Sequence, residues 1–373
     1  MTPRAEALVD LDAISANVEL MARGTSAAVM AVVKADGYGH GLLPSARAVL
    51  AGGATWLGVC TLAEALALRS GGITAPTLAW LIAPGEPLAD AVRADIDIST
   101  GAGWLLADIV TAAHDADRRA RVHLKVDTGL SRGGATTGDW PELVAAARNA
   151  ELDGTIDVVG VWSHFAYADD PGTPTIAGQI KVFGEAVDVA RDAGLRPQVR
   201  HLANSAATLT LPEAHLDLVR PGIACYGLSP VPQVSTYGLR PAMTLHGAVT
   251  QAKRVPAGSG VSYGHRYTTA AETSLALVPL GYADGVPRAA TNVGEVLLGG
   301  RRRRIAGTVC MDQFVVDVGD DVVVAGDEVV LFGPGDHGEP TAYDWADVLG
   351  TISYEIVTRV GARVPRAYVG GGS

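Results

Sequence analysis

Cysteine is scarce: Cys60, Cys225 and Cys310 are the only three in 373 residues, and they stand far apart. Such spacing excludes a disulfide framework and a zinc-binding pattern, and each lies in an apolar, strand-like run, so three buried thiols in a reducing compartment are expected. Aromatic residues make up 5% of the chain, which leaves the core to alanine, valine and leucine. Positive charge is also short. Against 40 acidic residues stand 29 Lys and Arg, a net charge of -11, which argues against a nucleic-acid groove and leaves anion binding to local sites. No apolar run reaches the length of a membrane span. The opening Met1-Thr2-Pro3-Arg4-Ala5-Glu6 lacks a signal-peptide core, so a cytoplasmic chain is expected. Histidines lack partners at metal-ligand spacing, and no metal is expected. The one basic cluster, Arg301–Arg304, follows Gly299-Gly300 and reads as a hairpin with a solvated face.

What remains is an apolar, glycine-rich chain long enough for two domains. Ala5–Leu11 reads as a strand, after which Asp12 caps a helix carrying Ile14, Val18 and Met21 on one face. From there strands and helices alternate. Strands are predicted at Ala28–Val33, Trp56–Cys60, Thr77–Ile82, Asp95–Ser99, Val122–Val126, Val158–Ser163, Val199–Ala203 and Leu216–Val219, with helices between most of them. About eight such units in roughly 220 residues match an α/β fold of the (β/α)8 TIM-barrel type over residues 11–232. Past Ser229-Pro230-Val231-Pro232 the segments become short and valine-rich: Met243–Val255, Thr273–Val278, Gly294–Leu298, Arg304–Val309, Phe314–Val318 and Glu328–Phe332. They predict a mostly antiparallel β domain over 233–373, joined by the strand in 1–10, with one helix at Tyr343–Leu349 and a disordered Gly-rich tail.

Barrel chemistry belongs at the carboxyl ends of the strands. The first barrel strand ends at Lys34, before Ala35-Asp36-Gly37-Tyr38-Gly39-His40-Gly41. An amine at the rim of an apolar strand is disfavoured as the ammonium, which suits a Schiff-base lysine. The other strand ends carry Lys125 to Arg132, His164, His201 to Ser205, and Arg220-Pro221-Gly222. Asn204-Ser205 opens a short helix, and with Gly222-Ile223 offers N–H groups to an anion. A strand-end lysine together with an anion site suggests pyridoxal 5'-phosphate.

Here the chain resembles bacterial alanine racemases. The likeness lies in Val33–Gly41, Lys125–Arg132, His201–Ala206, Val219–Gly227, Val261–Gly264, Gly281–Gly285, Val309–Gln313 and Thr351–Glu355, in order along nearly the whole chain. The resemblance implies pyridoxal phosphate, interconversion of L- and D-alanine for peptidoglycan, and a homodimer whose active site is shared between chains. It assigns Lys34 to the cofactor aldehyde and to one face of the substrate, and Tyr263 of a second chain to the other. Two bases are needed because one group removes the α-proton and another delivers one to the opposite face. A phenol needs nearby positive charge for this, for which His164 and Arg220 are the candidates. By the same likeness Arg132 takes the substrate carboxylate, with Tyr282, Met311 and Asp312 from the second chain, and Lys125 carries a carbamate that orients Arg132. Tyr38, His164, Asn204, Ser205, Gly222, Ile223 and Tyr354 hold the cofactor, and Arg220, backed by His201, faces its ring nitrogen. Arginine there donates only, so the ring nitrogen stays unprotonated and quick reprotonation is favoured over transamination. Pyridoxal decarboxylases would place an acid at that strand end. A pyridoxal phosphate-binding homeostasis protein would need the barrel alone, and a broad-specificity racemase would carry an export signal.

Overall fold

The computed structural model describes residues 3–170 and 172–371. The chain divides into two compact units, Ile14–Gly37 with Leu42–Leu239, and Met1–Ala13 with Tyr38–Gly41 and Arg240–Ser373.

In the first unit eight short parallel strands form one sheet: β2 (Ala28–Val32), β3 (Trp56–Val59), β4 (Thr77–Ala79), β5 (Ile96–Thr100), β6 (Ala120–Lys125), β7 (Ile156–Trp162), β8 (Val199–His201) and β9 (Leu218–Val219). They run in sequence order from β2 to β8, with β9 beside β2. Backbone bonds from Asp217 N–H to Arg200 O (3.2 Å) and from Arg220 N–H to Ala203 O (2.9 Å) join the two end strands, closing the (β/α)8 barrel. Its interior packs Met30, Leu78 and Leu218, all fully buried, against Trp56, Trp80 and Val199. Each such side chain contributes roughly 1.5–3 kcal/mol. Helices connect the strands, as at Leu62–Ser70, where Thr61 and Glu64 form a capping box. The helix Leu88–Arg93 was not legible: only six residues long, it starts at Pro87 with no side-chain cap.

The second unit holds a six-stranded sheet in the order β16 (Arg301–Arg304), β15 (Glu295–Leu298), β18 (Glu328–Phe332), β10 (Met243–Ala248), β1 (Ala5–Asp10) and β19 (Arg366–Val369). A three-stranded sheet joins β11 (Gln251–Val255), β14 (Thr273–Val278) and β17 (Phe314–Gly319), and β12 (Gly260–Val261) pairs with β13 (Tyr267–Thr268). Every pairing here is antiparallel except β1 with β19. The tetrapeptide Tyr38–Gly41 belongs to this unit although it follows a barrel strand. Gly39 makes that packing feasible, since a Cβ there would stand 2.5 Å from the Val357 carbonyl.

Several local expectations need correction. The cap of the helix Leu11–Arg23 is Asp10, whose Oδ1 accepts the Ala13 N–H at 2.9 Å; Asp12 sits two positions too late and instead accepts from Gly371 N–H. Gly370 and Gly371 of the tail are thus tied down beyond β19, while Gly372, Ser373, Met1 and Thr2 lie outside the described residues. Met243–Val255 is two strands in different sheets, because the chain leaves one sheet at Val249-Thr250 with no polar break to announce it. The strand expected at Arg304–Val309 is Arg301–Arg304, since the Gly299-Gly300 turn has already reversed the chain and pairs Arg301 with Leu298. Those four arginines meet Asp321, Asp344 and Glu295. Of the thiols only Cys225 is buried, in a 3-10 turn and pushed up to about 12 by burial; Cys60 and Cys310 are half-buried at loop positions. No helix among the described residues is long and apolar enough to cross a membrane.

Candidate active site

The carboxyl end of the barrel gathers cations around aromatic rings. Trp162, the last residue of β7, lies parallel to the His201 imidazole at 5.5 Å. Lys125 Nζ stands 4.4 Å and Arg220 Cζ 4.8 Å from its ring centre, and Lys34 Nζ is 5.9 Å from that of Trp80. Such contacts ease the placing of positive charge in apolar surroundings. Even so, burial, Arg220 and Arg132 pull Lys125 down to about 8. His164 falls to about 2, through burial first and then Arg220, Arg132, Lys125 and Lys34. It is therefore neutral. Of the two candidates for a positive charge, Arg220 carries one at neutral pH and His164 is neutral.

Arg220 is buried and meets no carboxylate among the described residues. Its guanidinium donates to His201 Nδ1 (3.0 Å), the Ser163 carbonyl (2.8 Å), His164 Nδ1 (3.3 Å) and the Leu202 carbonyl (3.3 Å). Asp217, the carboxylate nearest in sequence, is paired with Arg200 at 2.7 Å. Burial brings Arg220 to about 9, so it stays charged at neutral pH. Its Nε has no acceptor among the described residues and remains available to a ligand atom with a lone pair.

Behind Arg220 runs a buried relay. Asp97 Oδ2 lies 3.1 Å from His123 Nε2, His123 Nδ1 lies 2.8 Å from His201 Nε2, and Arg121 closes on Asp97. One proton arrangement satisfies every pair: His123 donates to Asp97, His201 donates to His123, and Arg220 donates to His201 Nδ1. His201 is held well below the usual imidazole range by burial and then Arg220, in keeping with a neutral ring. Gly160 leaves the space, as a Cβ there would stand 2.3 Å from His123 Nδ1. Neither Asp97 nor His123 was singled out from sequence, yet a lone polar residue inside an apolar strand run was the available signal, because a buried polar group needs a partner. Asp97→Ala should lose about 3–5 kcal/mol of stability in urea unfolding at neutral pH, by stranding His123 and Arg121. Bonds to His123 and Arg121 outweigh burial and hold Asp97 below its ordinary value. Its contribution is therefore present above about pH 3.9 and is lost as pH falls through the lower folded value, so the difference between wild type and variant should close in acid.

The two loops after β8 and β9 interlock. Asn204 is the N-cap of Ser205–Thr210, its Oδ1 accepting Ala207 N–H at 3.1 Å, so its side chain is engaged in the helix. Ser205 Oγ accepts the N–H of Gly222 (2.8 Å) and of Ala224 (3.4 Å), leaving its own hydroxyl proton to donate. The Ile223 N–H between them has no acceptor among the described residues. After β6, Asp127 Oδ1 accepts the N–H groups of Gly129, Leu130 and Ser131, which sets the loop that presents the exposed Arg132. Asp127 was not identified from sequence either.

The other predicted residues belong to the second unit. Tyr38 and Tyr354 have ring centres 6.3 Å apart. Tyr263 is 76% exposed, Met311 52% and Tyr282 42%, on three loops bonded together. Thr308 Oγ1 donates to the Tyr263 carbonyl and Ser262 Oγ to the Thr308 carbonyl, both at 2.8 Å. Tyr282 and Ala283 N–H groups donate to Cys310 and Met311 carbonyls. Asp312 pairs with Arg363 at 2.8 Å. Ser262 itself has φ 61 and ψ -171, a conformation that non-glycine residues avoid and that persists only where surroundings enforce it.

Comparison with known proteins follows the same division. The family model "Alanine racemase, N-terminal domain" matches residues 9–230 and "Alanine racemase, C-terminal domain" matches 242–368. The alanine racemase of Frankia casuarinae is 66% identical over 98% of this chain and 96% of its own, and that of Thermobifida fusca 62% over 99% of each. Among solved structures, an alanine racemase from D-cycloserine producing Streptomyces lavendulae superposes with a TM-score of 0.98 at 53% identity, covering 100% of this chain and 98% of its own. From sequence, from fold and from the order of its motifs, the chain belongs to the alanine racemase family.

Proposed function

We propose that the protein is an alanine racemase that interconverts L- and D-alanine with pyridoxal 5'-phosphate, acting as a homodimer and supplying D-alanine for peptidoglycan. The observation that carries the reading is Arg220: a buried, permanent cation with an unspent Nε–H and only neutral partners. That donor set fits the cofactor, because an arginine can bond an unprotonated ring nitrogen and nothing nearby can protonate it. Ser205 and Ile223, with Tyr38 and Tyr354 by family likeness, would hold the phosphate, and Lys34 the aldehyde. When bound, pyridoxal phosphate supplies an electron-withdrawing ring that acidifies the α-proton of an attached amino acid.

The chain's own residues then divide the proton work. Lys34 Nζ takes the α-proton from D-alanine or returns one to that face. The Tyr263 hydroxyl of a second copy does the same on the L face, with Arg220 as the positive charge that favours the phenolate. Arg132 suits the substrate carboxylate through its planar fork. Lys125, near half-neutral at about pH 8, has the free amine that a carbamate requires. The direct test joins two readings on purified protein. Expected are a visible absorbance band that borohydride removes, from lysine-bound cofactor, and D-alanine formed from L-alanine. Bound cofactor without turnover would favour a cofactor-binding protein.

A further inference from the structure

The residues after Lys34 turn the wrong way for L-amino acids. Ala35 (φ 53, ψ 51), Asp36 (φ 54, ψ 48) and Gly37 (φ 61, ψ 43) run consecutively in the left-handed region. Positive φ continues through Tyr38 (53) and Gly39 (83); single residues visit this region, but a run that includes three residues with a Cβ requires outside support. The local bonds supply part of it. Asp36 Oδ1 accepts Leu42 N–H at 2.7 Å and Gly37 N–H donates to Val33 O at 2.9 Å.

A further donor at this turn is Ala35 N–H. Pairing of β2 with β3 continues as far as Val33 N–H to Gly58 O. The next acceptor on that neighbour, Cys60 O, already takes the N–H of Leu81. Ala35 N–H is met instead by Glu64 Oε1 at 2.6 Å. The other oxygen of the same carboxylate accepts Cys60 N–H at 2.9 Å and Thr61 N–H at 3.1 Å. One side chain therefore bridges the carboxyl ends of two adjacent barrel strands, one of which carries Lys34.

We propose that Glu64 is a positioning residue for Lys34: its carboxylate clamps the left-handed turn to the end of β3 and so fixes where the lysine stem leaves the barrel. The inference rests on the assignment of Lys34 given above. In the helix Leu62–Ser70 Glu64 is also the far half of the capping box with Thr61, and that role alone would make it replaceable. A displaced turn shifts the amine, and about 1 Å of misplacement costs about a hundredfold in rate.

The test begins on the cofactor-free protein, so that it stands apart from the assigned activity. Deuterium uptake of the peptide containing Ala35 is followed by mass spectrometry in wild type, Glu64→Ala, Glu64→Gln and Thr61→Ala. Glu64→Ala should speed exchange there at least about tenfold. Glu64→Gln should do so in part, because an amide keeps one acceptor for three donors. Thr61→Ala removes the helix cap without touching Ala35 and should leave exchange unchanged. In the loaded enzyme Glu64→Ala should lower kcat about ten- to a hundredfold with little change in KM. Adding Ala35→Gly, which eases the left-handed turn, should recover a good part of that loss. Unchanged exchange at Ala35, an equal effect from Thr61→Ala, or no recovery with Ala35→Gly would overturn the clamp. If wild type itself forms no D-alanine, the assigned function fails and the exchange result stands on its own.

Discussion

Lys34→Ala is expected to lower racemisation by more than about a thousandfold, a loss of about 4 kcal/mol of transition-state stabilisation. It is also expected to leave no cofactor that borohydride can fix to the chain. Both losses come from one atom, since Nζ is the proposed anchor for the aldehyde and the base on the D face. The position supports this: Lys34 follows a buried parallel strand, half-buried itself and close to Trp80. Only four lysines exist in the chain. Lys181 and Lys253 are exposed, so Lys125 is the one competitor inside the barrel. A borohydride-fixed adduct at Lys125 in the variant, with racemisation retained, would contradict the assignment.

Tyr263→Phe should have the second-largest effect, about a hundred- to ten-thousandfold on racemisation, with cofactor binding nearly unchanged. Its diagnostic is directional. Enantiomers have equal free energy, so kcat/KM must fall equally in both directions whatever the cause, and rates alone cannot say which base was lost. Isotope exchange in deuterated water can. With Lys34 intact, D-alanine should take up α-deuterium faster than it turns into L-alanine, while L-alanine should keep its α-hydrogen. Equal slowing of exchange on both enantiomers, or loss of cofactor, would mean that Tyr263 supports structure only. The strained Ser262 and its bond to Thr308 argue for a phenol that is aimed rather than merely exposed.

How far the sequence could be read depended on whether a residue's role was local. Lys34 stood out because an apolar run stopped at it, and the hairpin at Gly299-Gly300 because turn chemistry is short-range. Arg220, His164 and His201 fell at strand ends, which a barrel brings to one side. The relay through His123 to Asp97 depends on strands 26 and 78 residues away in sequence and was missed. Glu64 was not singled out either, because its bond to Ala35 reaches across 29 residues. The charge of His164 was misjudged because burial and four cations act on it only in the folded protein. Tyr38–Gly41 could not be assigned to the second unit from composition, since only its packing against Val357, Tyr354 and Arg366 ties it there.

The central claim, two bases from two chains around one substrate, is tested most directly by mixing inactive Lys34→Ala and Tyr263→Phe proteins under conditions of subunit exchange. A hybrid dimer then contains one site with both bases and one with neither. Random pairing makes half of the dimers hybrid, so activity should return to about a quarter of wild type. If hybrids form, as seen by mass spectrometry of differently tagged chains, and activity stays at the level of the unmixed variants, the shared site is wrong.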